Sequence, residues 1–216
     1  MSLPTTSVFD VRPEILGREV VYRGYLTVER LRIRLADEAV VTRDVERHGD
    51  AVAVLPYDAV RRCALVARLF RAPVFVQCGA AMLEEACAGM IEEEPDESAA
   101  RREAYEELGV RLHALERVSR IWSSPGVSME RQTLFLAPYV ESDWSGRGGG
   151  LAAEHENIHP VERPLAELAC DADRGRIEDG KLLTLVMALR LRQPALFDDA
   201  ALGAAAYGAT RGSAVP

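Results

Sequence analysis

Three glutamates, Glu103, Glu106 and Glu107, constrain this chain more than any other feature. At 100° per residue they share one face of a helix, where like charges repel unless something neutralises them. They lie within GMIEEEPDESAARREAYEELGV, Gly89 to Val110. A divalent cation would neutralise them, and donors that are all oxygen suit Mg²⁺ or Mn²⁺ rather than zinc. Mg²⁺ completes its shell with water and substrate phosphate instead of a full protein cage. The spacing therefore points to a helix that serves phosphate chemistry, against the plainer alternative of a solvated acidic helix with Arg102 paired to Glu106.

The 216 residues fit one domain, or one with a small appendage, and the 48% of hydrophobic residues suffice for a sizeable core. A net charge of −8 argues against a nucleic-acid surface, since phosphate backbones are bound by clustered Lys and Arg. No run of 18 apolar residues exists, and the opening MSLPTTSVFDVRPE lacks a basic stretch followed by an apolar one, so a cytoplasmic chain without a membrane span is expected. Cys63, Cys78, Cys87 and Cys170 show no metal-binding spacing and are expected as reduced, mostly buried thiols.

Leu31, Ile33 and Leu35 alternate with Arg32 and Arg34, which predicts an antiparallel hairpin or meander with one wet face in residues 1–48. Ala51 to Pro56, Cys63 to Phe70, Met82 to Cys87, Arg117 to Trp122 and Thr133 to Val140 read as strands. Pro95 suits the first turn of the glutamate-bearing helix, with Asp96 and Glu97 complementing its dipole. The glycine-rich stretch Ser145 to Gly150 leads into an acidic loop read as a mobile lid. Helices are expected over about 164–170 and 180–192, and a loose tail over 193–216.

The segment resembles the Nudix box. Gly89, Glu94, Arg102, Glu103, Ala104, Glu106, Glu107, Gly109 and Val110 follow its pattern, except that four residues instead of five separate Gly89 from Glu94. The resemblance implies an α/β fold, an α/β/α sandwich around a mixed sheet, over residues 49–192. The short alternating strands of residues 1–48 lack a core of their own, and with the resemblance they are expected as a small N-terminal β-region that dimerises, while 193–216, rich in Ala and Gly, is expected as a tail. From about residue 50 to 192 the chain looks most like the ADP-ribose and GDP-mannose pyrophosphatase branch. Four stretches carry this: Leu69-Phe70-Arg71-Ala72-Pro73, Ser124-Pro125-Gly126, Gly148 to Leu151 followed by Glu154-His155-Glu156, and Ile177 to Lys181.

By that resemblance the activity is Mg²⁺- or Mn²⁺-dependent hydrolysis of a nucleoside diphosphate sugar at its pyrophosphate. Glu103, Glu106, Glu107 and the Ala88 carbonyl would hold metal, and Arg102 would orient the carboxylates, with Gly89 and Glu94 in support. Glu154, or nearby Glu156, would act on the attacking water. Arg71, Pro125 and Gly126 would meet substrate, and Lys181 is assigned no role. The partner is another copy of the chain, with no nucleic acid and no membrane. The alternatives are a dinucleoside polyphosphate or coenzyme A as substrate, or a non-catalytic ADP-ribose-binding domain.

Overall fold

The computed structural model describes residues 12–80, 82–144, 146–150 and 157–198. The chain divides into two compact units. One runs to Asp50 and takes in Ile121–Gln132; the other holds Ala51–Arg120 and the chain from Thr133 onward.

The first unit contains β1 (Glu14–Arg23), β2 (Thr27–Arg34) and β3 (Val40–Arg47), an antiparallel meander in that order. The alternation around Leu31 and Ile33 becomes a strand as expected, but both side chains are only half-buried. β1 is exposed along almost its whole length, including Ile15, Val20, Val21 and Tyr22. The one buried polar residue of β2, Glu29, is paired with Arg18 at 3.0 Å, which compensates for taking its charge out of water. β3 continues into the other segment of this unit: the Glu46 N–H donates to the Val127 carbonyl, and the Met129 N–H to that of Glu46.

The second unit is built on β4 (Ala51–Asp58), β5 (Cys63–Leu69), β6 (Leu83–Glu85), β7 (Cys87–Met90), β8 (Glu116–Trp122, whose last two residues count with the first unit), β9 (Arg131–Pro138, whose first two do) and β10 (His159–Pro164). Their order is β10-β5-β4-β9-β8, with β6 on β5 and β7 on β4. The helices are α1 (Ala72–Cys78), α2 (Asp96–Leu108), α3 (Leu165–Asp173) and α4 (Gly180–Arg192). This is the expected α/β fold. β4 and most of β5 are buried residue after residue, which explains why they read as continuous apolar runs. The core gathers Val52, Val54, Leu65, Cys87, Leu108 and Phe135, and takes in Ala99, Ala100 and Ala104 of α2, whose small side chains let that helix lie close to β4 and β7.

Several expectations need correction. Pro95 stands at the N-cap of α2, one step outside the first turn. α1 and β10 were not expected. α1 buries none of its residues, so it has no apolar stripe to betray it. β10 carries Pro160 and Pro164, which argue against a central strand but are tolerated at the sheet edge it occupies. Cys63 and Cys87 are buried free thiols, whereas Cys78 is exposed. Among the described residues no helix is long and apolar enough to cross a membrane.

Candidate active site

Strand β7 and helix α2 meet residue by residue. The Ala88 N–H donates to Glu107 Oε2 at 3.1 Å, and the Met90 carbonyl accepts from Arg102 Nη2 at 3.1 Å. Between them Gly89 lies flat against the Glu103 carboxylate: a Cβ at this position would stand 2.0 Å from Glu103 Cδ. Glycine lets the Glu103 carboxylate lie in this place, which any Cβ would displace.

Arg102 is the hub of the glutamate cluster. Its Nε and Nη2 donate to Glu94 Oε1 at 2.9 and 2.6 Å, and its Nη1 to Glu103 Oε1 at 2.7 Å and Glu106 Oε2 at 3.2 Å. Burial works against its charge, but the bonds to Glu94 and Glu103 more than compensate and hold the guanidinium above its ordinary pKa. A planar fork reaching three carboxylates sets their spacing. The loop before the helix is thereby fixed to α2 through Glu94 despite its four-residue length. Glu107 does not join this hub through any of those bonds; only 4% exposed, it turns to the β7 backbone. The neighbouring Cys87 thiol is pushed well above its usual pKa, first by burial and then by Glu107.

The C-terminal end of α2 is closed by a clasp. Every helix leaves its last carbonyls without intrahelical partners. Here Gly109, in the left-handed conformation, returns its N–H to Tyr105, and Val110 to Ala104. The Glu106 carbonyl accepts from the Gly150 N–H at 3.0 Å, Glu107 from Gly149 at 2.9 Å, Gly109 from Gly146 at 2.9 Å, and Leu108 from Trp144 Nε1 at 2.8 Å. Over Gly146–Gly150 the glycine-rich stretch is thus a cap on the helix, and the acidic loop expected as a lid lies, over 151–156, outside the described residues. Gly148 has φ +59° and sits so near the Glu107 carbonyl that a Cβ would come within 2.4 Å of its oxygen. Repeated glycine in a sequence says nothing of which carbonyls the backbone will meet, so this cap carried no signal.

Arg71 lies two residues beyond β5, at the N-cap of α1. Its Nε and Nη2 fork onto Glu85 Oε1 and Oε2 at 2.6 and 3.0 Å. This bond, with Glu107 and Asp179 contributing, raises its pKa. Lys181 Nζ bonds Glu85 at 3.1 Å and Asp179 at 2.8 Å, while Asp179 Oδ2 accepts from the backbone of Ala86 and Leu182, both at 3.0 Å. Glu85 escaped the sequence reading, and Asp179 entered it only within the Ile177–Lys181 stretch, without a role, although an Asp just before a predicted helix is a capping signal.

Pro125 and Gly126 are exposed in the first unit, in a turn closed by Ser124 accepting from Val127 and Ser128. Glu154 and Glu156 lie outside the described residues. Tyr57, at the end of β4, is a core residue whose hydroxyl accepts from Gln193, and Trp122 stacks under Arg131 in the first unit.

Glu103, Glu106, Glu107 and the β7 carbonyls present oxygen donors of the kind that hard divalent cations prefer. Among the described residues no three His, Cys, Asp or Glu side chains already enclose a metal position. Glu103 and Glu106 are instead bonded to Arg102, and Glu107 to the Ala88 N–H, so these side chains would turn to receive a cation. The donor chemistry fits; the carboxylate orientations are those of the ion pairs.

The NUDIX domain description matches residues 47–185. The chain is 33% identical to GDP-mannose pyrophosphatase of Cronobacter sakazakii over 184 residues, 83% of this chain and 95% of that one. It is 36% identical to the protein of the same name from Pectobacterium atrosepticum, over 67% of this chain and 74% of the other. A crystal structure of an ADP compounds hydrolase shares the fold with a TM-score of 0.69 at 19% identity, covering 86% of this chain and 96% of that one. With the domain matched across the strands and helix that form the glutamate site, the chain belongs to the Nudix family.

Proposed function

We propose that the chain hydrolyses the pyrophosphate of a nucleoside diphosphate sugar, of the ADP-ribose or GDP-mannose type, with Mg²⁺ or Mn²⁺. The observation that carries this reading is the Arg102 hub, which draws Glu94, Glu103 and Glu106 together beside the Glu107–Ala88 contact. The names of the relatives favour a nucleotide sugar.

Bound to Glu103, Glu106, Glu107 and the Ala88 carbonyl, the metal would neutralise diphosphate charge and acidify a water. Arg102 keeps the carboxylates apart and oriented, an outer-shell task, and Glu94 braces it. Arg71 offers a cation to the diphosphate, and Pro125 and Gly126 form a turn that would border the substrate. Glu154, with Glu156 two residues on, is the candidate to orient or deprotonate the water. In support, Gly150 is bonded to Glu106 and Ile158 to Gly149, so both ends of the segment bearing Glu154 are tethered at the last turn of α2.

The active form is a homodimer joined through residues 1–48. The apolar side chains left exposed on β1 and at Val40 support this, because a small sheet is marginal without a surface to cover it. Sedimentation at micromolar concentration should give a dimer, and deletion of residues 1–45 should give monomers or aggregate; a monodisperse, active full-length monomer overturns the assignment.

A panel of ADP-ribose, GDP-mannose, UDP-glucose, diadenosine polyphosphates and coenzyme A, read by product mass, tests the reaction. The expected products are a nucleoside monophosphate and a sugar phosphate. In ¹⁸O water the label should appear on a product phosphate. Label on a sugar carbon, or free sugar with the nucleoside diphosphate intact, overturns the mechanism.

A further inference from the structure

Glu85 is a buried carboxylate with two cations on it. Its side chain is 4% exposed, both oxygens are taken by the Arg71 fork, and one of them also accepts from Lys181 Nζ at 3.1 Å. Burial disfavours its ionised form, but the bonds from Arg71 and the charge of Lys181 outweigh that and hold its pKa below the usual carboxylate range. An isolated buried carboxylate is costly, so a position with this much compensation is set by its partners. Those partners are themselves anchored: Lys181 bonds Asp179, and Asp179 caps α4 and takes the N–H of Ala86 at the junction of β6 and β7.

Arg71 is held chiefly by that fork, with the charges of Glu107 and Asp179 adding to it. It lies at the start of a helix that buries no residue, and its side chain is 44% exposed. A guanidinium in such a place samples many rotamers unless something fixes it, and binding then costs the entropy of ordering it. The fork onto Glu85 engages Nε and Nη2 and leaves Nη1 outside both bonds. We infer that Glu85 is a positioning residue for substrate binding, which locks the guanidinium of Arg71 in one direction and ties it through Lys181 and Asp179 to the strand junction leading into Ala88. The inference rests on the nucleotide-sugar reading above. It assigns Glu85 an effect that passes through Arg71 and is felt in substrate affinity more than in turnover.

The test is a double-mutant cycle on the full-length protein with Mg²⁺ and whichever nucleoside diphosphate sugar it cleaves. Glu85→Gln should raise KM about tenfold while kcat falls less than about threefold, because uniform binding is what is lost. In an Arg71→Ala background the same substitution should add less than about twofold to KM, the signature of two residues acting as one. If Glu85→Gln does not fold, Glu85→Asp, which keeps the charge but withdraws the fork by one methylene, goes through the same cycle. An equal KM effect with and without Arg71, or an effect confined to kcat, overturns the inference and leaves the substrate reading standing. A wild-type protein that cleaves no nucleoside diphosphate sugar overturns both.

Discussion

The indole N–H of Trp144 donates to the carbonyl of Leu108 at 2.8 Å and so closes the end of the helix that carries the glutamates. Trp144 also packs against the core, so the bond and the packing are separable. Trp144→Phe keeps most of the packing and leaves the Leu108 carbonyl without that donor. A loss of about 1–2 kcal/mol is expected from urea unfolding. Unchanged stability would show that solvent replaces the bond at no cost.

Gly89→Ala separates fold from function. The added methyl would meet the carboxyl of Glu103, the far end of a flexible side chain, and not backbone. Glu103 should yield, with little change in melting temperature, while its carboxylate leaves the place set by Arg102. Activity should fall at least about tenfold, as expected when a group held for the transition state is misplaced. Full activity would mean that Glu103 is not needed where it stands.

Glu107→Gln should lower turnover by at least about a hundredfold, since a carboxylate oxygen becomes a neutral amide. The amide oxygen can still accept from the Ala88 N–H, so the fold should survive, as circular dichroism would report. Glu106→Gln should be comparable or milder. Near-wild-type activity of Glu107→Gln at limiting Mg²⁺ rules out a metal role for this residue.

Glu154→Gln should reduce kcat with little change in the Mg²⁺ dependence, because a group that orients water acts in the transition state. Glu156→Gln is the internal comparison. A larger loss at Glu156 moves the role by two residues.

The helix α2 was legible because its information is local: the glutamate spacing, Ala99 and Ala100 on the buried face, and Gly109 at the end all lie within one stretch. The fork from Arg71 to Glu85 was not, because it joins the residue two beyond β5 to one in β6, and only the pairing of those antiparallel strands, with Ala67 opposite Glu85, fixes their distance. Arg71 was expected to face phosphate directly, and its partner carboxylate carried no signal beyond one more acidic residue. β10 was hidden by its prolines, which single-sequence reading counts against a strand without knowing that the strand lies at an edge. Pro125 and Gly126 could be read as a turn, but not as a turn held to β3 through Glu46, since that link crosses about eighty residues of chain.

The clasp on α2 also sets where the chain can change length. Its donors from Gly146, Gly149 and Gly150 meet the carbonyls of Gly109, Glu107 and Glu106 in antiparallel order. An insertion or deletion between Trp144 and Gly150 would slide this whole ladder by a residue and push side chains into positions where only hydrogen fits beside the Glu107 carbonyl. A change of length after Gly150 leaves every one of these bonds in register. Descendants of this chain that acquire a different substrate loop should therefore keep the spacing from Trp144 to Gly150 and vary only beyond it.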